Sequence, residues 1–249
     1  MFGLDLTRLA VLRLQVKPHP LDRPEAMQWE VDHVFFASGD GASAEAALSE
    51  FGIAFTERRV HLGQGTANAC AVFENAFFEL LLAANTDELR SDLIRPLGLY
   101  ERISWRETGA CPFGICFRPE KPVLDDSASW PFETWAYAPP YVPAGKCIPV
   151  VTPRHSLYEP LVFLSPQSRP MTTRPKSPAH RGASRMLTSV TVHRIRERAP
   201  ISDGLRSFAK QGMFSLVDNS AYRLELEWDN GRTGQLHEFP ASVPLTIRW

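Results

Sequence analysis

The chain has 249 residues, of which 44% are hydrophobic, so it is long and apolar enough to form a substantial core in one large or two small domains. Its 27 basic and 28 acidic residues nearly cancel, which gives no electrostatic reason to expect nucleic acid or an anionic membrane surface as a partner. No apolar run reaches the length of a membrane span.

The cysteines and the start of the chain predict a cytoplasmic protein. The four cysteines lack both the CxxC pairing of a structural zinc site and the density of a disulfide scaffold, so we expect free thiols in a reducing compartment. Residues 1–28 read as an N-terminal extension outside the fold, because prolines near their end obstruct a regular element. Met27 is therefore a candidate start of the functional protein.

A first unit is predicted over residues 29–100. Period-two and period-3.6 patterns predict a strand, a short helix that ends at Gly52, and three further strands, the last two joined by a tight turn. The segments concerned are 29–38, 41–52, 56–63, 68–74 and 76–85. A helix over 86–98 follows, with Thr86 as its N-cap.

The rest of the chain divides into a connection and a second unit. Residues 101–186 hold strand-like pieces, a segment rich in proline and aromatic residues, and a basic, proline-rich stretch over 166–186 that is typical of a linker. Residues 187–249 repeat the order strand, helix capped by Ser202, strand, strand and strand. Because pairing two small curved sheets buries their open faces, we predict an α+β protein of paired βαβββ modules with curved mixed sheets.

Three ordered motifs in the first unit resemble a known family. They are Asp32-His33 near the start of a strand, the pattern H-x-G-x-G-T-x-N over 61–68, and Phe-Glu-Leu around Glu79. On these motifs residues 31–82 resemble the glyoxalase-like domain of the vicinal oxygen chelate superfamily. Residues 106–119 and 135–141 are also similar to uncharacterised bacterial members of this group.

The resemblance implies a metal site of defined composition. In metal-dependent members a His of the first strand and a Glu of the fourth strand, joined by ligands from the partner module, bind a divalent cation that stabilises an enolate or similar anion. His33 and Glu79 match these two positions. In the second unit Ser189 stands where a histidine is expected, with four further candidates nearby, namely His193, Glu225, His237 and Glu238. The sequence leaves two alternatives, one bound divalent metal ion or no bound metal.

Further candidates come from chemistry at the same motifs. Glu79 lies in an apolar strand, where a carboxylate needs a metal, a cation or a proton as its partner, so it and His61 are the candidate catalytic residues. The glycine-containing motif also offers polar groups for a substrate, namely Gln64, Thr66 and Asn68. Three aromatic residues of the proline-rich segment are candidate walls of a substrate pocket, namely Trp135, Tyr137 and Tyr141.

These features predict a small-molecule enzyme of the isomerase, lyase or dioxygenase type. The alternative is a binding protein on the same fold that sequesters a small ligand without turnover. A scaffold whose aromatic and proline-rich segment docks a partner protein is a third interpretation. The resemblance also allows the modules to pair across a homodimer.

Overall fold

The computed structural model of the chain describes residues 29–120, 133–165, 185–196, 198 and 200–249. The predicted extension over 1–28, with its candidate start at Met27, lies outside the described residues, as does the predicted linker except for residues 185 and 186. Within the described ranges, no helix combines the length and the apolar character needed to cross a membrane.

The first unit has the predicted order of one strand, one helix and three strands. Its elements are β1 (Trp29–Ser38), α1 (Gly41–Phe51), β2 (Arg59–His61), β3 (Thr66–Val72) and β4 (Phe77–Ala83). The side chain of Asp40 caps α1 by accepting a hydrogen bond from the amide of Ser43 at 3.2 Å. Gly52 ends this helix in the left-handed conformation, with φ 107°, which glycine adopts at low cost.

The single helix predicted over residues 86–98 is wrong. The segment contains α2 (Thr86–Leu89) and a 3₁₀ turn (Arg95–Leu97), followed by α3 (Leu99–Ile103) and α4 (Trp105–Thr108). Thr86 is the first helical residue, and the N-cap is Asn85, whose side chain accepts from the amide of Asp87 at 3.0 Å. Pro96 lies in the 3₁₀ turn and cannot donate the amide hydrogen bond that a helix continuing to residue 98 would need.

Strands from the middle of the chain complete the first sheet. They are β5 (Phe113–Pro119), β6 (Trp135–Tyr137), β7 (Ile148–Val150) and β8 (Leu161–Leu164), and the eight strands follow the order β2-β3-β4-β1-β5-β8-β7-β6. β1 and β5 are antiparallel neighbours, β4 runs parallel to β1, and β8 runs parallel to β5. The two halves therefore repeat one strand order outward from the junction of β1 and β5, in a curled half-barrel.

The last unit forms a sheet of its own. Its elements are β9 (Leu187–Ile195), α5 (Asp203–Lys210), β10 (Ser215–Asn219), β11 (Arg223–Trp228), β12 (Leu236–Glu238) and β13 (Leu245–Arg248). The predicted strand, helix and three strands are present with one further strand at the end, and Ser202 caps α5 as predicted, with its hydroxyl accepting from the amide of Leu205 at 3.4 Å. The strand order, however, is β10-β9-β11-β13-β12.

The strands that continue the first sheet are not the ones that the sequence predicts. Residues 187–249 were expected to supply the partner of the first unit, but the strands that continue its sheet come from residues 113–164. Three of these four strands are only three or four residues long, which is too short for a period-two pattern to stand out among the surrounding prolines.

Alternate residues of β1 face two different cores. Val34 and Phe36 point toward the core that the first sheet shares with α1, α5 and the second sheet. Phe35 and Ala37 point the other way, into a core closed by the segment of α2 and α3 and by β6–β8. His33 shares the face of Phe35 because side chains alternate along a strand. The candidate site therefore lies on the face of the first sheet that is turned away from the second sheet.

Candidate functional site

His33 and Glu79, which are 46 positions apart in the sequence, meet on adjacent strands. β1 and β4 run parallel, with Phe35 opposite Glu79, and the shared face brings Nε2 of His33 to 3.5 Å from Oε2 of Glu79. The two side chains are 13% and 8% exposed, so water screens this contact only weakly. The structure thus brings together the two residues that the sequence placed first among the candidates.

A chain of ion pairs, buried at Asp32 and Arg118, fixes the orientation of His33. Its Nδ1 lies 2.7 Å from Oδ1 of Asp32, and the second oxygen of Asp32 accepts from Nη1 of Arg118 at 3.3 Å. Arg118 also donates through Nε to Glu30 at 2.6 Å. Since a carboxylate accepts, Nδ1 of His33 carries the hydrogen in this contact, and Nε2 is the nitrogen directed at Glu79. Sequence reasoning did not identify Arg118, because nothing local links it to Asp32.

Aromatic rings enclose the imidazole of His33. The ring of Phe77 stacks on it with centroids 4.3 Å apart, and Phe163 of β8 contacts it edge-on at 5.4 Å. These rings limit water on two sides of the imidazole, and a low local dielectric strengthens the interaction between His33 and Glu79.

Glu79 has a second partner within the first unit. Nδ2 of Asn68 donates to Oε1 of Glu79 at 2.5 Å, which leaves Oε2 as the oxygen that faces His33. Asn68 was predicted as a substrate contact, and the structure places it as the neighbour that orients this carboxylate. Among the described residues, no lysine or arginine forms an ion pair with Glu79.

The glycine-containing motif folds as a tight loop against the aromatic segment. Gly63 and Gly65 have φ of 77° and 79°, a region that favours glycine. A Cβ on Gly65 would lie 2.4 Å from the carbonyl oxygen of Asn85, and one on Gly63 would lie 2.6 Å from Cγ of Pro140. Gly63 therefore lets the loop approach the aromatic segment at Pro140, and Gly65 lets it approach the start of α2 at Asn85.

This loop carries a directed hydrogen-bond relay. The hydroxyl of Thr66 accepts from Nε2 of Gln64 at 2.7 Å and lies 2.9 Å from Nδ1 of His61. The hydroxyl hydrogen is then free to donate to His61, so the relay favours the tautomer with hydrogen on Nε2. Burial lowers the pKa of His61, partly opposed by the charge of Glu79, and His61 is therefore neutral at pH 7.

Two of the three predicted aromatic residues join the relay. The hydroxyls of Tyr137 and Tyr141 both donate to Oε1 of Gln64 at 2.8 Å, and burial raises the pKa of each phenol. The negative charge of Glu79 raises the pKa of Tyr141 further. The indole of Trp135 instead donates to the carbonyl of Thr152 at 2.8 Å.

The residues opposite His33 and Glu79 decide whether a shared metal fits. Cys116 pairs directly with His33 across the β1–β5 junction. Phe77 is opposite His33 and lies two residues before Glu79. Phe163 is likewise opposite Cys116, so the residue that corresponds to Glu79 lies two positions after Phe163 and is Ser165. The partner half thus offers a thiol and a hydroxyl in the corresponding positions.

The donor atoms do not complete the expected metal site. The 3.5 Å between His33 and Glu79 would suit two ligands of one ion. Within the described ranges, however, the one group of three suitable ligand atoms consists of Asp32, His33 and Cys116 and leaves out Glu79. Asp32 is already engaged by Arg118, so this group would have to break an ion pair to bind a metal. The residues present therefore do not fit the four-ligand site.

The ligand candidates of the second unit lie on the second sheet. His193 contacts Glu225 at 3.7 Å, His237 stacks on Phe51 at 4.5 Å, and Glu238 pairs with Arg223 at 3.2 Å. Ser189 is opposite Glu227 in the pairing of β9 with β11. These residues belong to a different sheet from His33 and Glu79 and add no ligand to that pair.

Comparisons with known proteins agree with this fold. Residues 31–127 match the family of the glyoxalase-like domain. No characterised protein sequence matches the chain. The 27 matching chains of solved structures include a hypothetical protein from Staphylococcus aureus, which is 11% identical, with 89% of this chain and 98% of that chain covered and a TM-score of 0.50. At that identity the likeness concerns the fold alone.

Proposed function

The chain carries a glyoxalase-like domain of the vicinal oxygen chelate superfamily, and from this premise we propose that it is an enzyme that transfers a proton on a small carbonyl compound. The observation that carries the proposal is the contact of 3.5 Å between Nε2 of His33 and Oε2 of Glu79 in an enclosed setting. A carboxylate and an imidazole within reach of each other are the groups that general acid–base catalysis uses most.

The orientation of His33 makes this contact a place for one proton. Because Nδ1 already donates to Asp32, the contact with Glu79 is attractive only when either Nε2 or the carboxyl group carries a hydrogen. In the proposed mechanism this pair carries the proton that passes to and from the substrate. A substrate placed against it would lose a proton to one member and regain it from the same pair.

The proposed step is a proton abstraction next to a carbonyl group. The carboxylate of Glu79 removes the hydrogen, the electron pair of the C–H bond forms a C=C bond, and the former carbonyl electrons pass to the oxygen as an enolate. Nε2–H of His61 is the proposed donor to that oxygen. For an α-hydroxy carbonyl compound, the hydroxyl proton then passes to the enolate oxygen while the former carbonyl carbon is protonated by the pair, which completes an isomerisation with the carbonyl at the neighbouring carbon. Loss of a leaving group with its bonding electrons from the β-carbon, which restores the carbonyl and forms a C=C bond, completes a lyase reaction instead. The incomplete metal ligand set favours these two classes over a dioxygenase.

Substrate contacts are proposed for the loop and the aromatic wall. Asn68 lies beside the pair through its hydrogen bond to Glu79, and Gln64 and Thr66 are the further proposed polar contacts. Tyr137 and Tyr141, whose hydroxyls donate to Gln64, are the proposed wall, together with Trp135, whose ring centroid is 6.5 Å from that of Tyr137. A small polar substrate with an adjacent carbonyl and hydroxyl suits such a mixture of donors and aromatic surface.

Proton exchange tests the proposal directly. The protein would be incubated in D₂O with a panel of small α-hydroxy ketones and α-hydroxy aldehydes, and loss of the α-hydrogen signal would be followed by proton NMR. We expect wild-type exchange above the buffer rate for at least one compound, and about 100-fold less in Glu79→Gln. Glu225→Gln, which alters the carboxylate of the other histidine–glutamate contact, is the matched control and should retain the exchange rate.

A non-catalytic binding protein is the second candidate. It is favoured by the hydrogen bonds of Gln64, whose carbonyl oxygen is already occupied by Tyr137 and Tyr141, and by Cys116 and Ser165 in the partner positions. Binding of a panel compound without exchange in the wild type would support this candidate and contradict the enzyme.

Cellular setting and assembly stay predictions. We propose a bacterial cytoplasmic location, which is supported by four cysteines that form no disulfide bond within the described residues. A homodimer and the lack of a nucleic-acid partner are likewise proposed from the sequence.

A further inference from the structure

A cavity of about 130 Å³ lies where α1 and the end of β3 meet the second sheet, outside the candidate site. Its walls include the rings of Phe51, Phe73, Trp228 and Trp249, together with Arg185. Phe73 and Trp228 contact each other with centroids 4.9 Å apart, and Phe51 meets Trp249 edge-on at 5.4 Å. The cavity is therefore an aromatic chamber with one cationic side chain.

Arg185 is held against this chamber by both indoles. Its guanidinium carbon lies 5.4 Å from the ring centroid of Trp228 and 5.2 Å from that of Trp249, and cation–π attraction favours these positions. The carbonyl of Arg185 also accepts from the amide of Glu74 at 3.2 Å. No carboxylate among the described residues forms an ion pair with Arg185, so the N–H groups of its planar fork can still bind an anion.

Trp228 gives the chamber an aromatic surface. The residue is 3% exposed, and its ring contacts both Phe73 of the chamber wall and the guanidinium of Arg185. The chamber thus combines aromatic walls with one cationic side chain.

We propose that this chamber binds a monocyclic aromatic carboxylate. A cavity of roughly 150 Å³ holds one benzene ring, so the observed volume suits a single ring and excludes larger polycyclic molecules. The aromatic walls contact the ring, and the guanidinium of Arg185 pairs with the carboxylate. The site is independent of the proposed proton transfer, because it lies on the other face of the first sheet and shares no residue with the pair of His33 and Glu79.

Benzoate and its neutral counterpart, benzyl alcohol, test this site on the full chain. Binding would be measured by calorimetry and by the indole ¹⁵N–¹H signals of Trp228 and Trp249, assigned with Trp228→Phe and Trp249→Phe. We expect one benzoate per chain with a dissociation constant below about 1 mM, and benzyl alcohol at least about tenfold weaker. Both indole signals should shift with benzoate.

The variants separate the carboxylate contact from simple filling of a hole. Arg185→Gln should weaken benzoate about tenfold and leave benzyl alcohol unchanged. Arg198→Gln is the matched control, because Arg198 also lies over an aromatic ring, that of Tyr158 at 5.5 Å, and should bind benzoate like the wild type. Circular dichroism would verify that each variant is folded. Absence of benzoate binding, equal affinity for the two compounds, or unchanged affinity in folded Arg185→Gln would each overturn the proposal.

Discussion

The two sheets of this protein each contain a contact between a histidine and a glutamate, and the two contacts differ in their surroundings. On the first sheet Nε2 of His33 lies 3.5 Å from Glu79. On the second sheet Nε2 of His193 lies 3.7 Å from Glu225. Similar residue types at similar distances therefore occur twice, and the neighbours decide what each contact can do.

Cations neutralise the contact on the second sheet. Glu225 is 23% exposed and accepts from Nε of Arg248 at 2.5 Å. Burial lowers the pKa of His193, and the charges of Arg223 and Arg248 lower it further while Glu225 opposes them. On the first sheet the carboxylate faces an amide and aromatic rings instead. A carboxylate and an imidazole can transfer a proton more readily where no arginine forms an ion pair with the carboxylate.

The aspartates near the two contacts, Asp32 and Asp218, should differ most in their contribution to the free energy of unfolding. Asp32 is 2% exposed and holds both His33 and Arg118, whereas Asp218 is 33% exposed and pairs with arginines at the edge of the second sheet. Asp32→Asn should lower the free energy of unfolding by about 2 kcal/mol, because it leaves a buried arginine with one charged partner, Glu30. Asp218→Asn should cost under about 1 kcal/mol.

Urea unfolding of both variants at neutral pH measures this difference. Equal losses in the two variants would show that the buried pair contributes no more than the surface one, and the contrast between the sheets would then fail.

Acid should act more strongly through His61 than through His193. The folded pKa of each is lowered from 6.5, mainly by burial, so below pH 6.5 the unfolded chain binds more protons and stability falls. His61→Gln should flatten the fall of unfolding free energy between pH 7 and pH 5. His193→Gln should flatten it less, because His193 is less deeply buried. Urea unfolding across this pH range decides, and a steeper fall in His61→Gln would contradict the assignment.

Metal removal should have the smallest effect. Since the described ligand atoms do not complete a site around His33 and Glu79, we expect purified protein to carry less than about 0.1 divalent ion per chain and EDTA to leave its melting temperature within about 1 °C. Elemental analysis beside His33→Ala and Glu79→Ala measures this. One ion per wild-type chain, lost in both variants, would establish the chelate site that the sequence implied.

The sequence predicted those parts of the candidate site that have a local sequence pattern. The motif over 61–68 and the apolar strand around Glu79 identified the loop and the carboxylate, because glycines and a charged residue in an apolar run stand out against their neighbours. Arg118 and Cys116 could not be found in this way. Their positions beside His33 depend on the antiparallel register of β1 and β5, which joins segments more than 80 residues apart.

The sequence by itself determined the elements of the first and last units, since the period of apolar residues and the caps at Gly52 and Ser202 are local properties. Only the tertiary structure decided which strands share a sheet. The last unit repeats the element order of the first with one strand more, yet residues 113–164 continue the first sheet. Strand pairing depends on hydrogen bonds and burial between segments that are distant in the sequence. These interactions produce no periodic pattern of residues, so they cannot be predicted from the local sequence.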